Sequence, residues 1–457
     1  MSPAVNFSRF LRPRASNPLC STLLGLLLLL PVANANAAPE IQSWETSNGA
    51  RVLFVPAPEI PILDVRVVFH GGSAHDGQQS GLASLAASML TQGAGDWDAD
   101  QVAERLEAVG ANLSAGAERD MAYTAVRTLT QQPALETALE TLGTIIAAPT
   151  FAEDDFERVR QNTLISLRRD EQDPGTLGKK AVYRAIFGDH PYASDPKGTL
   201  ESVAALGRDD LVRFHRRFFV ARNAVVSMVG ALSRAEAVDV AERVTAGLKA
   251  GEPAAELPSV ADMEMGVLER ISFPSTQTHI YAGQPGMMRG DADYFPLYVG
   301  NHILGGSGLV SLLMAEVREK RGLSYSVYSY FLPMARRGPF LMGLSTKSAQ
   351  AEQARDVLMD TIRRFREQGP TQQELDAAVK NITGGFPLRI ASNSKIVQYL
   401  AMIGFYGLPL DYLDKFNERV SAVTAEDIRD AFSRRVHPER FATVIVGPGG
   451  RDAEAER

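Results

Sequence analysis

"VAALGRDDLVRFHRRFFVARNAVVSMVG", Val203 to Gly230, aligns without a gap on "VSAVTAEDIRDAFSRRVHPERFATVIVG", Val420 to Gly447. Each copy reads as a polar helix, a basic turn and an apolar strand that closes on Val-Gly, and Thr424 stands where a helix N-cap belongs. The copies lie 217 residues apart. Upstream, "FAEDDFERVRQN" (Phe151 to Asn162) corresponds to "TQQELDAAVKN" (Thr371 to Asn381) at nearly the same offset. A period this long exceeds any solenoid repeat and means a duplicated domain. Between the copies runs "KAGEPAAELPSVADMEMG" (Lys249 to Gly266), whose Pro, Ala and acidic residues suit an exposed connector.

Working outward, each half mixes strand and helix patterns. "RVLFVPAP" and "LDVRVVFHGG" alternate as strands, "DADQVAERLEAVG" is helical and stops at Gly110, and "ANLSAGAERDMAYTAVRTL" returns as two strands. Helices are expected over Pro133–Ile146 and Asp154–Asp170. In the second half "RISFPSTQTHIYAGQPG" is stranded, "YFPLYVGNHILGG" and "GLVSLLMAEVREKRG" are helical, and "LSYSVYSYF" is a strand. Strand runs followed by helix runs indicate an α+β chain. We expect two tandem homologous α/β domains, each a mainly antiparallel sheet with helices packed on one face. Their expected limits are 39–248 and 267–457, joined by a linker over 249–266.

Residues 1–38 read as a segment removed from the fold. Arg9, Arg12 and Arg14 precede the apolar run Leu23–Leu30, and "ANANAA" (Ala33 to Ala38) offers small residues for a signal peptidase. The run is too short to span a bilayer, so the expectation is export to a periplasm. Cys20, the one cysteine, lies before the apolar run, so the mature chain has no thiolate metal site and no disulfide. Formal charge is −7, and loss of three arginines with no acid brings it to −10. Basic residues are dispersed, which excludes a nucleic-acid binder.

"SGLASLAASML" (Ser80 to Leu90) is a helix with an apolar stripe of Leu82, Leu85, Ala86 and Met89. Its other face carries only Ser84, Ala87 and Ser88. Small residues on a helix face can simply permit close packing. The flanking sequence "GSAHDGQQSGLASLAASMLTQGAG", however, resembles the metal-site helix of the pitrilysin/insulinase zinc peptidases, a family that includes mitochondrial processing peptidase. Gly81-Leu82-Ala83 and Met89-Leu90 match its framework. In active members the helix carries His-x-x-Glu-His; the resemblance puts Ser84, Ala87 and Ser88 at those positions. The third ligand of the family, a glutamate about 76 residues on and seven after a Glu-Arg pair, falls at Leu164, after Glu157-Arg158. Hydroxyls are poor zinc ligands, and neither a methyl nor an isobutyl group can bind metal or take a proton. All three ligands and the base are therefore replaced, and no cofactor is expected in this chain. His70, His75, His190, His215, His279, His302 and His437 show no i, i+3 or i, i+4 pair that would rebuild a site.

"GNHILGGSGLVSLLMAEVREKRGLSYSVYS" (Gly300 to Ser329) resembles the C-terminal half of bacterial members. There an arginine ends a helix and a tyrosine seven residues later opens the next strand, here Arg318 and Tyr325. The resemblance implies that both face the catalytic chamber and donate to the substrate carbonyl, on which negative charge develops. "VGANLSAGAERDMAYTAV" (Val109 to Val126) resembles the family's edge strand, implying that Ala111, Asn112, Leu113, Ser114 and Ala115 bind extended peptide, with an ordinary hairpin as the alternative. "LGGSG" (Leu304 to Gly308) resembles a substrate-handling loop but reads better as a helix–helix turn, and it lacks the Gly-Lys-Ser/Thr of a phosphate loop.

The resemblance implies a metal-free subunit whose partner is a paralogous, zinc-bearing peptidase chain, with peptide as substrate. A scaffold protein with no catalytic involvement is the competing reading. An unrelated active site has no support, since there is no Gly-x-Ser-x-Gly and no reactive cysteine in the mature chain.

Overall fold

The computed structural model describes residues 40–448; the expected signal segment, 1–38, lies outside them. The described strands are β1 (Gln42–Glu45), β2 (Arg51–Pro56), β3 (Ile62–Phe69), β4 (Gly93–Ala94), β5 (Trp97–Asp98), β6 (Asn112–Ala117), β7 (Ala122–Leu129) and β8 (Ala224–Gly230) in the first half. The second half supplies β9 (Val267–Ser272), β10 (Gln277–Pro285), β11 (Ser324–Phe331), β12 (Pro339–Lys347) and β13 (Ala442–Gly447). One sheet has the order β1-β2-β8-β3-β7-β6, the other β11-β12-β10-β13-β9, and β4 and β5 form a separate ribbon. Pairing is antiparallel except for β2 with β8 and β13 with β9. The sheets are thus mainly antiparallel, as expected for this α+β chain.

The repeat read in the sequence is visible here. β8 and β13 close its two copies, and each lies between one parallel and one antiparallel neighbour. By this correspondence β6, on the edge of the first sheet, matches β11, on the edge of the second. The helices Arg208–Phe218 and Ala425–Arg435 precede the two closing strands. Thr424 caps the second of them, its hydroxyl accepting from the Asp427 amide at 3.1 Å. Helix Ala99–Glu107 opens on a capping box made by Asp98 and Gln101, and Gly110 beyond its end adopts φ 67°.

Each sheet buries one face against helices of its own half. In the first, Phe54, Leu63, Val65, Val67, Phe69 and Met228 join one continuous core. The opposite face receives a helix from the other half, which periodicity does not reveal. Helix Asn393–Phe405 lies over the first sheet: a Cβ on Gly404 would stand 2.5 Å from Val225 and 2.8 Å from Leu53. The Phe405 ring stacks on His70 at 3.9 Å, and Arg51 donates to the Gly404 carbonyl at 3.1 Å. Reciprocally, helix Pro174–Phe187 of the first half covers the second sheet, where Ala181, Val182 and Ile186 pack with Leu341, Val444 and Val446. Gly178 is required there, because a Cβ would lie 2.4 Å from the Tyr281 ring. Exchange of the two helices buries both faces of the central strands. β8 and β13 are therefore buried at every residue and, apart from Ser227 and Thr443, read as apolar runs instead of alternating.

A polar knot reinforces the exchange. Asp120, in the turn between β6 and β7, is 5% exposed. It accepts hydrogen bonds from the Tyr192 hydroxyl (2.5 Å), the Tyr406 hydroxyl (2.9 Å) and the Ala335 amide (2.8 Å). Three distant segments thus converge on one carboxylate. Among the described residues no helix is long and apolar enough to cross a membrane.

Candidate functional site

The helix that opened the functional question spans Leu82–Met89. Its first turn is held by Asp76, whose carboxylate accepts from the Gly81 and Ala83 amides, both at 2.8 Å. Burial pushes this carboxyl up to about 7, against the pull of the amides. Backbone also closes on the helix start. The loop Asp195–Gly198 packs so tightly that a Cβ on Gly198 would stand 2.4 Å from the Ser80 carbonyl oxygen.

Every degenerate position is occupied by an ordinary structural contact. The Ser84 hydroxyl donates to the Pro196 carbonyl at 2.6 Å. Ser88 donates to the Ser84 carbonyl one turn back, at 2.8 Å. Ala87 is fully buried. Leu164 sits on helix Glu153–Asp170 and packs with Leu167, Val203 and Leu200. The preceding Glu157 and Arg158 are spent in ion pairs with Arg160 and Asp155. Two hydroxyls that already donate to carbonyls, a methyl and an isobutyl group do not fit a zinc ion. No cluster of three or more His, Cys, Asp or Glu that could hold a metal occurs among the described residues.

Arg318 and Tyr325 have different surroundings. Arg318 lies in a π-helical turn, Met314–Glu319, and is exposed. The basic run around it is otherwise neutralised by one acid. Glu316 takes Lys320 at 2.7 Å, Arg321 at 2.8 Å and Arg364 at 3.5 Å. The Lys320 hydrogen bond, ahead of the other cations, brings the Glu316 carboxyl down to about 2. Arg318 has no acidic partner among the described residues. Tyr325 is 86% exposed, with no hydrogen bond to its hydroxyl. It sits on a bulge in β11: Ser324 pairs with Thr346 and Val327 with Leu344, so Tyr325 and Ser326 together oppose one residue. Ser324 stitches the bulge, donating to the Ser345 and Ser326 carbonyls at 2.6 and 2.7 Å. π-turns and β-bulges both concentrate at functional sites, where they re-aim a side chain. Neither irregularity can be read from the local sequence pattern.

Asn112–Ala115 begin β6, which among the described residues pairs only with β7 and leaves its other edge free, whereas Ala111 precedes the strand, buried, its amide donating to the Leu106 carbonyl at 2.9 Å. Asn112 and Ser114 are exposed, while Leu113 and Ala115 lean on the core. A cavity of about 830 Å³ opens beside this strand, lined in part by Leu113, Val102, Leu106 and Arg158. The Leu304–Gly308 segment is a π-turn running into a short 3-10 turn. Its glycines serve close packing: a Cβ on Gly305 would lie 2.6 Å from the Ser329 amide nitrogen on β11.

The fold and the altered helix identify the chain as a member of the M16 peptidase family. The insulinase model of that family matches residues 51–199, and the model described as the peptidase M16 inactive domain matches 205–382. A solved peptidase M16 inactive domain from Pseudomonas fluorescens is 37% identical, over 90% of this chain and 98% of its own, with a TM-score of 0.87. Among curated relatives, a non-peptidase homolog from Helicobacter pylori is 28% identical, over 86% of this chain and 90% of that protein. An uncharacterised zinc protease from Streptomyces coelicolor is 26% identical, over 90% of each. This chain is a metallopeptidase-family protein that lacks the residues of the family's catalytic centre.

Proposed function

We propose that this chain is the non-catalytic, substrate-binding subunit of a periplasmic heterodimeric zinc endopeptidase. The partner is a paralogous subunit with an intact His-x-x-Glu-His helix, whose zinc supplies the activated water. This chain holds extended peptide along Ala111–Ala115 by β-strand addition. Arg318 and Tyr325 each donate to the scissile carbonyl oxygen as it gains negative charge.

One observation carries the reading. The four positions matching the family's ligands and base carry two serines bonded to backbone, an alanine and a leucine, while the one arginine of its basic run without an acidic partner and an 86% exposed tyrosine stand free on irregular backbone. A scaffold has no need of a tyrosine held out on a bulge. The test is reconstitution of the purified mature chain with a zinc-bearing paralogue from the same source. Peptide hydrolysis is expected only in the mixture, and chelator is expected to abolish it. Hydrolysis by the zinc-bearing chain alone, unchanged by addition of this one, overturns the proposal.

A further inference from the structure

A second cavity, of about 520 Å³, lies between the two halves where the β6–β7 turn meets the segment after β11. Three arginines line it: Arg66, Arg119 and Arg289. None forms a salt bridge with a described residue, in a chain where most arginines do. Arg119 lies over the Tyr183 ring at 4.0 Å and donates to the Tyr192 and Ser194 carbonyls, at 3.1 and 3.2 Å. Arg66 lies over the Tyr123 ring at 3.9 Å. Arg289 is half-buried, and its Nε is buried with no hydrogen-bond partner. Of the two acids in the lining, Asp120 is already taken by two tyrosine hydroxyls and an amide, and Glu118 is exposed.

A guanidinium kept partly out of water with an unsatisfied donor is costly unless an acceptor arrives. Arginine is also the residue best shaped to grip a carboxylate through two parallel hydrogen bonds. The location adds a source for that acceptor. Ala117, the last residue of β6, is part of the cavity wall. Polypeptide lying along the free edge of β6 and continuing past Ala117 would enter it.

The geometry points to a carboxylate-binding subsite in this cavity, centred on Arg289 with Arg66 beside it, that takes an acidic group of the bound peptide. The ligand class rests on the edge-strand part of the proposed function; the cavity and its unpaired cations do not. The carboxylate can belong to an Asp or Glu side chain or to a peptide C-terminus, and both present the same two oxygens.

The test uses the mature chain alone and isothermal titration with three extended peptides of one apolar core sequence. One has an amidated end and no acid, one an amidated end and an internal Glu, and one a free C-terminal carboxylate. At least tenfold tighter binding of either acidic peptide over the neutral one is expected, and the tighter of the two identifies the source. Arg289→Gln and Arg66→Gln are each expected to erase that preference while leaving neutral-peptide binding unchanged and the chain cooperatively folded. Equal binding of all three peptides overturns the inference, as does a preference that survives both substitutions. Absence of binding by any peptide overturns both this inference and the edge-strand assignment, which separates that failure from loss of the acid preference alone.

Discussion

The sharpest prediction concerns Tyr325→Phe and Arg318→Gln. Tyr325 is 86% exposed, has no hydrogen-bond partner, and packs into no core, so removing its hydroxyl deletes no folded-state contact. Surface changes of this kind shift stability by no more than about 0.5 kcal/mol. Arg318 is exposed and without an acidic partner, and the same bound applies. Loss of one oxyanion donor commonly costs about 3 kcal/mol in the transition state, roughly a hundredfold in rate. The two effects therefore separate cleanly. Each variant is expected to melt with the unmodified chain and to bind the zinc-bearing subunit equally well, yet to lower kcat of the reconstituted complex about a hundredfold. The double variant is expected to lose less than the product of the single losses, because both donors serve one oxygen. Peptidase rates of the mixed complex, with melting curves of each variant as control, decide the matter. An unchanged kcat for both single variants refutes the catalytic role, and a fall in kcat that tracks a fall in melting temperature refutes the separation argued here.

Leu164→Glu restores the family's ligand type in a pocket made by Leu167, Val203 and Leu200. It is expected to destabilise the chain by about 3 kcal/mol in urea unfolding without zinc uptake, since an isobutyl group leaves its contacts and a carboxyl enters an apolar site. Asp120→Ala strips the shared acceptor from Tyr192, Tyr406 and Ala335 and should cost about 3 to 5 kcal/mol, whereas Tyr406→Phe should cost about 1 kcal/mol. Acid sensitivity follows from histidines kept neutral. Burial lowers His70 and His215 to about 4, so each contributes stability that is complete above about 6.5 and is lost as pH falls toward 4, about 3 kcal/mol for the 8% exposed His215. Asp76, raised to about 7, acts in the opposite sense and loses stability as pH rises from about 4 to 7. Unfolding free energy measured from pH 4 to 7 should therefore rise less steeply in His215→Phe and more steeply in Asp76→Asn; a slope unchanged in both removes the assignment.

What the sequence discloses and what it hides follow one physical division. Local periodicity and caps fix single elements, so the strand over β3, the helix ending before Gly110 and the Thr424 cap are all legible. The duplication is legible as well, because the two copies must solve the same packing problem. Exchange of helices Pro174–Phe187 and Asn393–Phe405 is not legible: an apolar helix face states that it is buried, not which sheet buries it. The apolar run of β8, broken only by Ser227, is its one trace, since only a strand covered on both faces needs it.

The same division governs the candidate site. The replaced residues at 84, 87, 88 and 164 can be read as letters. Their consequence, that Ser84 is consumed by the Pro196 carbonyl, depends on a loop 112 residues away. Conversely, nothing in "REKRGLSYS" says which cation is free. Glu316 could have paired with any neighbour, and it is the folded geometry that assigns it Lys320, Arg321 and Arg364 and leaves Arg318 out. On this stretch an exposed cation without an acidic partner and an exposed aromatic ring stand close in sequence, while Glu316 gathers the neighbouring cations Lys320, Arg321 and Arg364. That asymmetry is local, and it lies in the half of the chain opposite the lost metal ligands. Under the proposed function the bulge at Tyr325 is what turns that ring toward a second molecule, and a Tyr325 variant that reconstitutes with full kcat leaves the bulge without that role.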